Sequence, residues 1–181
     1  MNFSDISYLI LEVKNLTDAR YFTAMGVDYL HFELDPREEG AITTEAFTGI
    51  IEWVEGPKIL CSIDHMFTDE HIREIIEQDA VHGILSKHAD LIDFCNRIKP
   101  LTSILKVGNG TAPLKEDQTI NGILSETIVS TSIPNFVICN SPHDAHKKIK
   151  EGLRELALYA GDETQVGIKN FDDFDDLFYM E

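Results

Sequence analysis

The residues with chemistry to offer stand where a strand should be apolar. His31 and Glu33 lie two apart inside the run 29–34, and the two-residue period of a strand puts both on one face. Asp64 and His65 follow the apolar run 58–63, Glu12 interrupts the run 8–13, and Lys106 sits within 103–107. Imidazole and carboxylate groups held together move protons near neutral pH. They also ligate zinc or manganese.

Two readings of the cluster Glu12, His31, Glu33, Asp64, His65 and Lys106 follow. In the first it is a polar, ion-paired set that stabilises the mouth of a barrel, because buried charges persist mainly when paired. In the sharper one, His31, Glu33, Asp64 and His65 form a relocated catalytic site or a metal centre. The first is preferred, and no metal or cofactor is expected. His71, His82, His88, His143 and His146 read as exposed or capping residues of helix starts and turns. Cys61, Cys95 and Cys139 are far apart, odd in number and set in apolar runs. That pattern gives neither a disulfide framework nor paired zinc ligands, and Cys61 and Cys139 read as inert buried thiols.

The elements that must position these groups alternate. Short β-branched or apolar runs at 8–13, 29–34, 58–63, 82–85, 103–107, 127–130, 136–139 and 156–159 are separated by amphipathic stretches. Eight strands alternating with helices predict a parallel sheet closed into a TIM-type (β/α)8 barrel, one α/β domain over 1–181. Thr43, Thr68 and Ser141 with Pro142 open three of the helices. Their stripes are Phe47, Ile50, Ile51 and Val54; Ile72, Ile75 and Ile76; and Ala145, Ile149 and Leu153. A last helix from about Asn170 buries Phe174, Leu177 and Phe178. Between 108 and 134 the glycines and prolines interrupt any helical period, so the crossovers around strands five and six are expected to be short or irregular. In such barrels the chemistry is built at the C-terminal ends of the strands, where Asp64 and His65 fall.

Composition narrows the partners. The 181 residues carry a formal charge of −17 and are 43% hydrophobic. A field of that sign repels phosphate backbones and anionic membrane surfaces, so neither nucleic acid nor a membrane is expected. The N-terminus lacks a basic flank and a sustained apolar stretch, which points to a cytoplasmic protein. A monomer or homodimer is expected.

Three stretches carry a family likeness. Asn15-Leu16-Thr17-Asp18-Ala19, then Met25-Gly26-Val27-Asp28 leading into Tyr29-Leu30-His31-Phe32-Glu33-Leu34, resembles the first β-α-β unit of phosphoribosylanthranilate isomerase. Tyr159-Ala160-Gly161-Asp162-Glu163, Gly167-Ile168-Lys169-Asn170 and Phe171-Asp172 are similar to that family's last strand and the lead into its final helix. The run 91–98 resembles the helix after its fourth strand. The resemblance implies an Amadori isomerisation of an aminoaldose to an aminoketose in tryptophan biosynthesis, on a small phosphorylated sugar.

Laid on this sequence, the family pattern implies vacancies. Leu11 stands at the general base, a cysteine in the family, and Glu12 at the glycine after it. The acid, an aspartate ending the sixth strand, meets only Ser and Thr as polar groups around 127–132. The substrate-contacting arginine falls at Gly40, and a Gln-Leu-His-Gly strand end at Leu85-Ser86-Lys87-His88. Phosphate would be held by Asn140 and Ser141 after the seventh strand and by Gly161 and Asp162 after the eighth. The expectation is an isomerase-like barrel with lost or strongly reduced activity; the alternatives are a binding or assembly partner, or an enzyme on another sugar phosphate.

Overall fold

The computed structural model describes residues 5–108, 120–129, 132–161 and 169–179. Its strands are β1 (Ser7–Leu11), β2 (Tyr29–Glu33), β3 (Lys58–Ser62), β4 (Val81–Ser86), β5 (Thr102–Lys106), β6 (Gly122–Ser125), β7 (Asn135–Cys139) and β8 (Glu155–Tyr159). They pair in sequence order, all parallel, and β8 returns to β1 to close the barrel. Six helices are described: α1 (Leu16–Ala24), α2 (Thr44–Ile51), α3 (Asp69–Ile76), α4 (Ala89–Ile98), α5 (Pro142–Lys150) and α6 (Asp172–Phe178). Among the described residues none is long and apolar enough to cross a membrane.

Local chemistry starts the helices where the sequence places them. Asn15, Thr43, Thr68 and Ser141 each accept a backbone N–H three residues on, from Asp18, Ala46, His71 and Asp144. Each bond satisfies one of the donors that a helix start leaves open. α2 ends at Ile51 and α5 at Lys150, so Val54 and Leu153 pack on the core from just beyond the last turn. The final helix begins at Asp172, two residues later than expected.

Strand alternation divides the core in two. Leu9, Leu11, Leu60, Leu85, Ile104, Leu124, Phe136 and Ala157 form one cluster, which fills the barrel. Ile10, Leu30, Phe32, Ile59, Cys61 and Ile84 belong to the other, which the helices cover with Phe22, Phe47, Ile75 and Ile92. Gly83 has no room for a side chain, since a Cβ there would collide with the Thr102 carbonyl and the Leu60 side chain. α6 closes the outer layer, where Phe22 of α1 meets Phe171, Phe174 and Phe178 edge to face.

One strand is not where the sequence puts it. β6 is Gly122–Ser125, with all four residues buried, whereas 127–129 of the expected 127–130 follow it outside any strand, with Ile128 69% exposed, and Ser130 lies outside the described residues. The β-branched Thr127-Ile128-Val129 has the local propensity, but a parallel strand is chosen by burial on both faces. Only residues 126–134 then link β6 to β7, a short crossover as expected, while 109–119 of the crossover from β5 to β6 lie outside the described residues.

Candidate functional site

The C-terminal ends of the strands form one mouth. Leu11, Glu12, His31, Glu33, Asp64 and Lys106 line its cavity together with Asp35, Glu38, Ser62, Ser86, Lys87, His88 and Tyr159. The structure thus gathers five of the six polar groups singled out in the sequence around one space, and leaves His65 on its rim. The cavity measures about 40 Å³, room for a few waters, against roughly 300–1,000 Å³ for ordinary ligand pockets.

His31 is the best-held of these groups. Its Nδ1 accepts the Glu12 N–H at 3.3 Å, its Nε2–H donates to Ser62 Oγ at 2.8 Å, and that hydroxyl donates to the Leu85 carbonyl at 2.9 Å. Burial, with Lys106 nearby, drives its pKa down to about 3, so the ring is neutral at physiological pH. Both nitrogens are engaged, which leaves none for the metal set His31, Glu33, Asp64 and His65. Burial raises the Glu33 carboxyl, and Glu38 and Asp35 add to the shift, against the Asp35 N–H that donates to it at 2.9 Å.

Ion pairs tie the rim. Arg37 grips Asp35, with Nη2 to Oδ2 at 2.7 Å, and reaches Asp64 at 2.8 Å. Its guanidinium holds the Asp35 carboxyl below the usual carboxylate range. Lys87 crosses to Glu38 at 2.7 Å. Among the described residues no carboxylate pairs with Lys106, which faces the neutral His31.

Three signals were missed in the sequence. Glu12 has φ 55, a left-handed conformation that glycine adopts readily and other residues at a cost. His88 caps α4 without a side-chain cap bond and stands beside His65, their ring centroids 4.7 Å apart. Glu126 directly follows β6. A carboxylate residue, close enough to act on Tyr159 by its charge, therefore follows the strand end that was expected to offer only Ser and Thr.

The phosphate candidates divide. Ser141 caps α5 and the Asn140 N–H donates to Asp144 Oδ2 at 3.1 Å, so a carboxylate of the chain already fills the turn after β7. Burial alone would raise Asp144, but Lys148 at 2.9 Å and the Asn140 N–H outweigh it and lower the pKa. Gly161 is exposed at φ 84, and its carbonyl accepts from Lys169 Nζ at 3.0 Å. Asp162 lies outside the described residues. Burial pushes the Cys95 thiol up to about 12 and Cys139 to about 11, and raises Cys61 further. None of the three is poised as a nucleophile.

No family model matches the chain, and no curated relative matches its sequence. Solved structures do. The phosphoribosylanthranilate isomerase of Thermus thermophilus superposes with TM-score 0.75 at 17% identity, over 96% of each chain. The chain has the fold of the phosphoribosylanthranilate isomerases. The N-(5'-phosphoribosyl)anthranilate isomerase of Pyrococcus furiosus gives 0.73 at 15%, over 96% of each chain. A phosphoribosylanthranilate isomerase in complex with reduced 1-(o-carboxyphenylamino)-1-deoxyribulose 5-phosphate gives 0.69 at 16%, again over 96% of each. The likeness spans the barrel from end to end, so the phosphoribosylanthranilate isomerase fold accounts for where the mouth lies. The side chains that fill it are this chain's own.

Proposed function

We propose that this barrel is a divergent relative of the phosphoribosylanthranilate isomerases that has lost the Amadori reaction. The observation that carries the reading is Leu11. It ends β1, 2% exposed, in the barrel's interior cluster. A general base must reach the proton it removes within hydrogen-bond distance and is worth roughly 10²–10⁴-fold, and a hydrocarbon supplies none of this.

The surroundings support the same conclusion. The cavity has room for only a few waters; the arginine of the loop after β2 is spent on Asp35 and Asp64; and Asp144 sits where phosphate would dock after β7. A second reading, an enzyme acting on another small phosphorylated sugar, draws on Lys106 and Glu33, which line the cavity, and on Glu126, which follows β6. In the first reading the protein acts by binding, at this mouth or to another protein.

The test is turnover of phosphoribosylanthranilate, followed by its fluorescence, together with complementation of a strain that lacks the isomerase. No turnover, and no growth without tryptophan although folded protein is present, is the expected result. Growth would overturn the proposal.

A further inference from the structure

At the rim of the mouth three side chains converge. Nitrogens of His65 and His88 and a carboxylate oxygen of Asp90 all lie within 4.8 Å of one another. His65 Nε2 is 3.5 Å from Asp90 Oδ2, close to the spacing of two ligands on one tetrahedral zinc, whose bonds are roughly 2.0–2.2 Å long. The imidazole rings are tilted by 54°, not stacked, so packing between them does not explain the pairing.

The backbone prepares this geometry. Asp64 Oδ1 accepts the His65 N–H and its Oδ2 is fixed by Arg37, which pins the loop after β3. His88 is the N-cap residue of α4, held by its N–H to Ser86 Oγ at 3.0 Å. Asp90 is in the first turn of that helix. Asp64 Oδ2 lies 3.7 Å from His88 Nε2, within ion-pair reach of the ring. Both histidines and Asp90 are open to solvent, so an ion has a path in. A chain of charge −17 concentrates cations around it.

We infer that His65, His88 and Asp90 form a binding site for a divalent transition-metal ion of the zinc class, with the remaining coordination position open to water or a ligand. Two imidazoles and one carboxylate suit that class of ion better than magnesium or calcium, which prefer all-oxygen shells. The site adjoins the cavity around His31 and shares His88 with its lining, while His65 and Asp90 stand outside it. It stands whether or not the isomerase reaction is lost.

Calorimetric titration of Zn²⁺ into chelator-treated protein without an affinity tag tests it, with the visible absorption of the Co²⁺ form reporting nitrogen ligation. The expected result is one ion per chain, with affinity weakened by roughly tenfold or more in His88→Ala and in Asp90→Asn. His143→Ala, remote on α5, serves as the control and should bind like wild type. Because the three ligands are surface residues, the variants should melt like wild type; His65→Ala repeats the test where one does not. Absence of stoichiometric binding, or equal binding by all ligand variants, overturns the proposal.

Discussion

The backbone N–H of Glu12 donates to Nδ1 of His31 at 3.3 Å, which joins the end of β1 to the middle of β2 across the top layer of the barrel. A ring that accepts there must carry its proton on Nε2, and Ser62 and the Leu85 carbonyl then complete a chain through β3 and β4. A buried polar network is stable when each member is satisfied. Here this holds only while the histidine is neutral, because a second ring N–H would point at the Glu12 donor.

Stability should therefore fall on acidification through His31. Burial first, then Lys106, holds its folded pKa at about 3, while an unfolded histidine titrates near roughly 6.5. Between those values the unfolded chain binds a proton that the folded chain refuses. Stability is thus fully present above about 6.5 and is lost as the pH drops toward 3, by about 1.4 kcal/mol per pH unit at most. Urea unfolding of wild type and His31→Gln across this window checks it. Glutamine keeps an acceptor and a donor but does not titrate, so its slope should be shallower; equal slopes would sink the idea.

Glu12 sits at φ 55, and a non-glycine residue in that region costs about 1–3 kcal/mol. Its carboxylate lies over Gly40, where a Cβ would come within 2.6 Å of Oε2. Glu12→Gly should release the backbone strain while losing that packing, leaving stability equal or up to about 1 kcal/mol higher. Glu12→Val, β-branched, should lose about 1 kcal/mol or more. The melting order is then Gly at or above Glu, with Val lowest. A valine variant that melts with wild type would show that no strain resides there.

The sequence and the structure agree where burial and local chemistry point the same way. The strands around Leu9, Leu30, Leu60, Ile84, Ile104, Val137 and Ala157 are legible because apolar runs bounded by caps have one good solution. β6 is not, because Gly122 weakens a run that burial nonetheless selects, while Ile128 and Val129 advertise a strand on the surface. The mouth was half legible. A polar residue within an apolar strand flags itself, as His31 and Glu33 do. The pairing of His65 with His88 depends on β3 lying next to β4, a relation that no spacing along the chain encodes.

Asp18 and Lys169 form the most buried ion pair described, 2.8 Å apart with side chains 2% and 6% exposed. It fastens α1 to the segment before α6, and Lys169 also donates to the Gly161 carbonyl. Removing one partner strands the other charge, at a cost of about 3–5 kcal/mol. Lys169→Met and Asp18→Asn should each lose about that much in urea unfolding. The double variant should be clearly less damaged than the sum. Strict additivity would mean that the two charges do not depend on each other.

Leu11→Cys places a thiol where the proposed reading puts the missing general base, and it should still not create an isomerase. A thiolate is the active form, and Glu12 and Glu33, which line the same cavity, disfavour a further negative charge, while of the two lysines there Lys87 is paired with Glu38. The space is the larger obstacle. A cavity of about 40 Å³, bordered by Glu38 and Lys87 in ion pair at 2.7 Å, does not admit a phosphosugar carrying an aromatic ring. Shortening the side chain enlarges it by only about two methyl groups and costs about 1–3 kcal/mol of stability. The variant should therefore fold, expose its new thiol slowly to a thiol reagent, and leave phosphoribosylanthranilate fluorescence unchanged. Turnover gained by this single change would mean that the ion pairs over the mouth open freely and that the missing base alone had silenced the barrel.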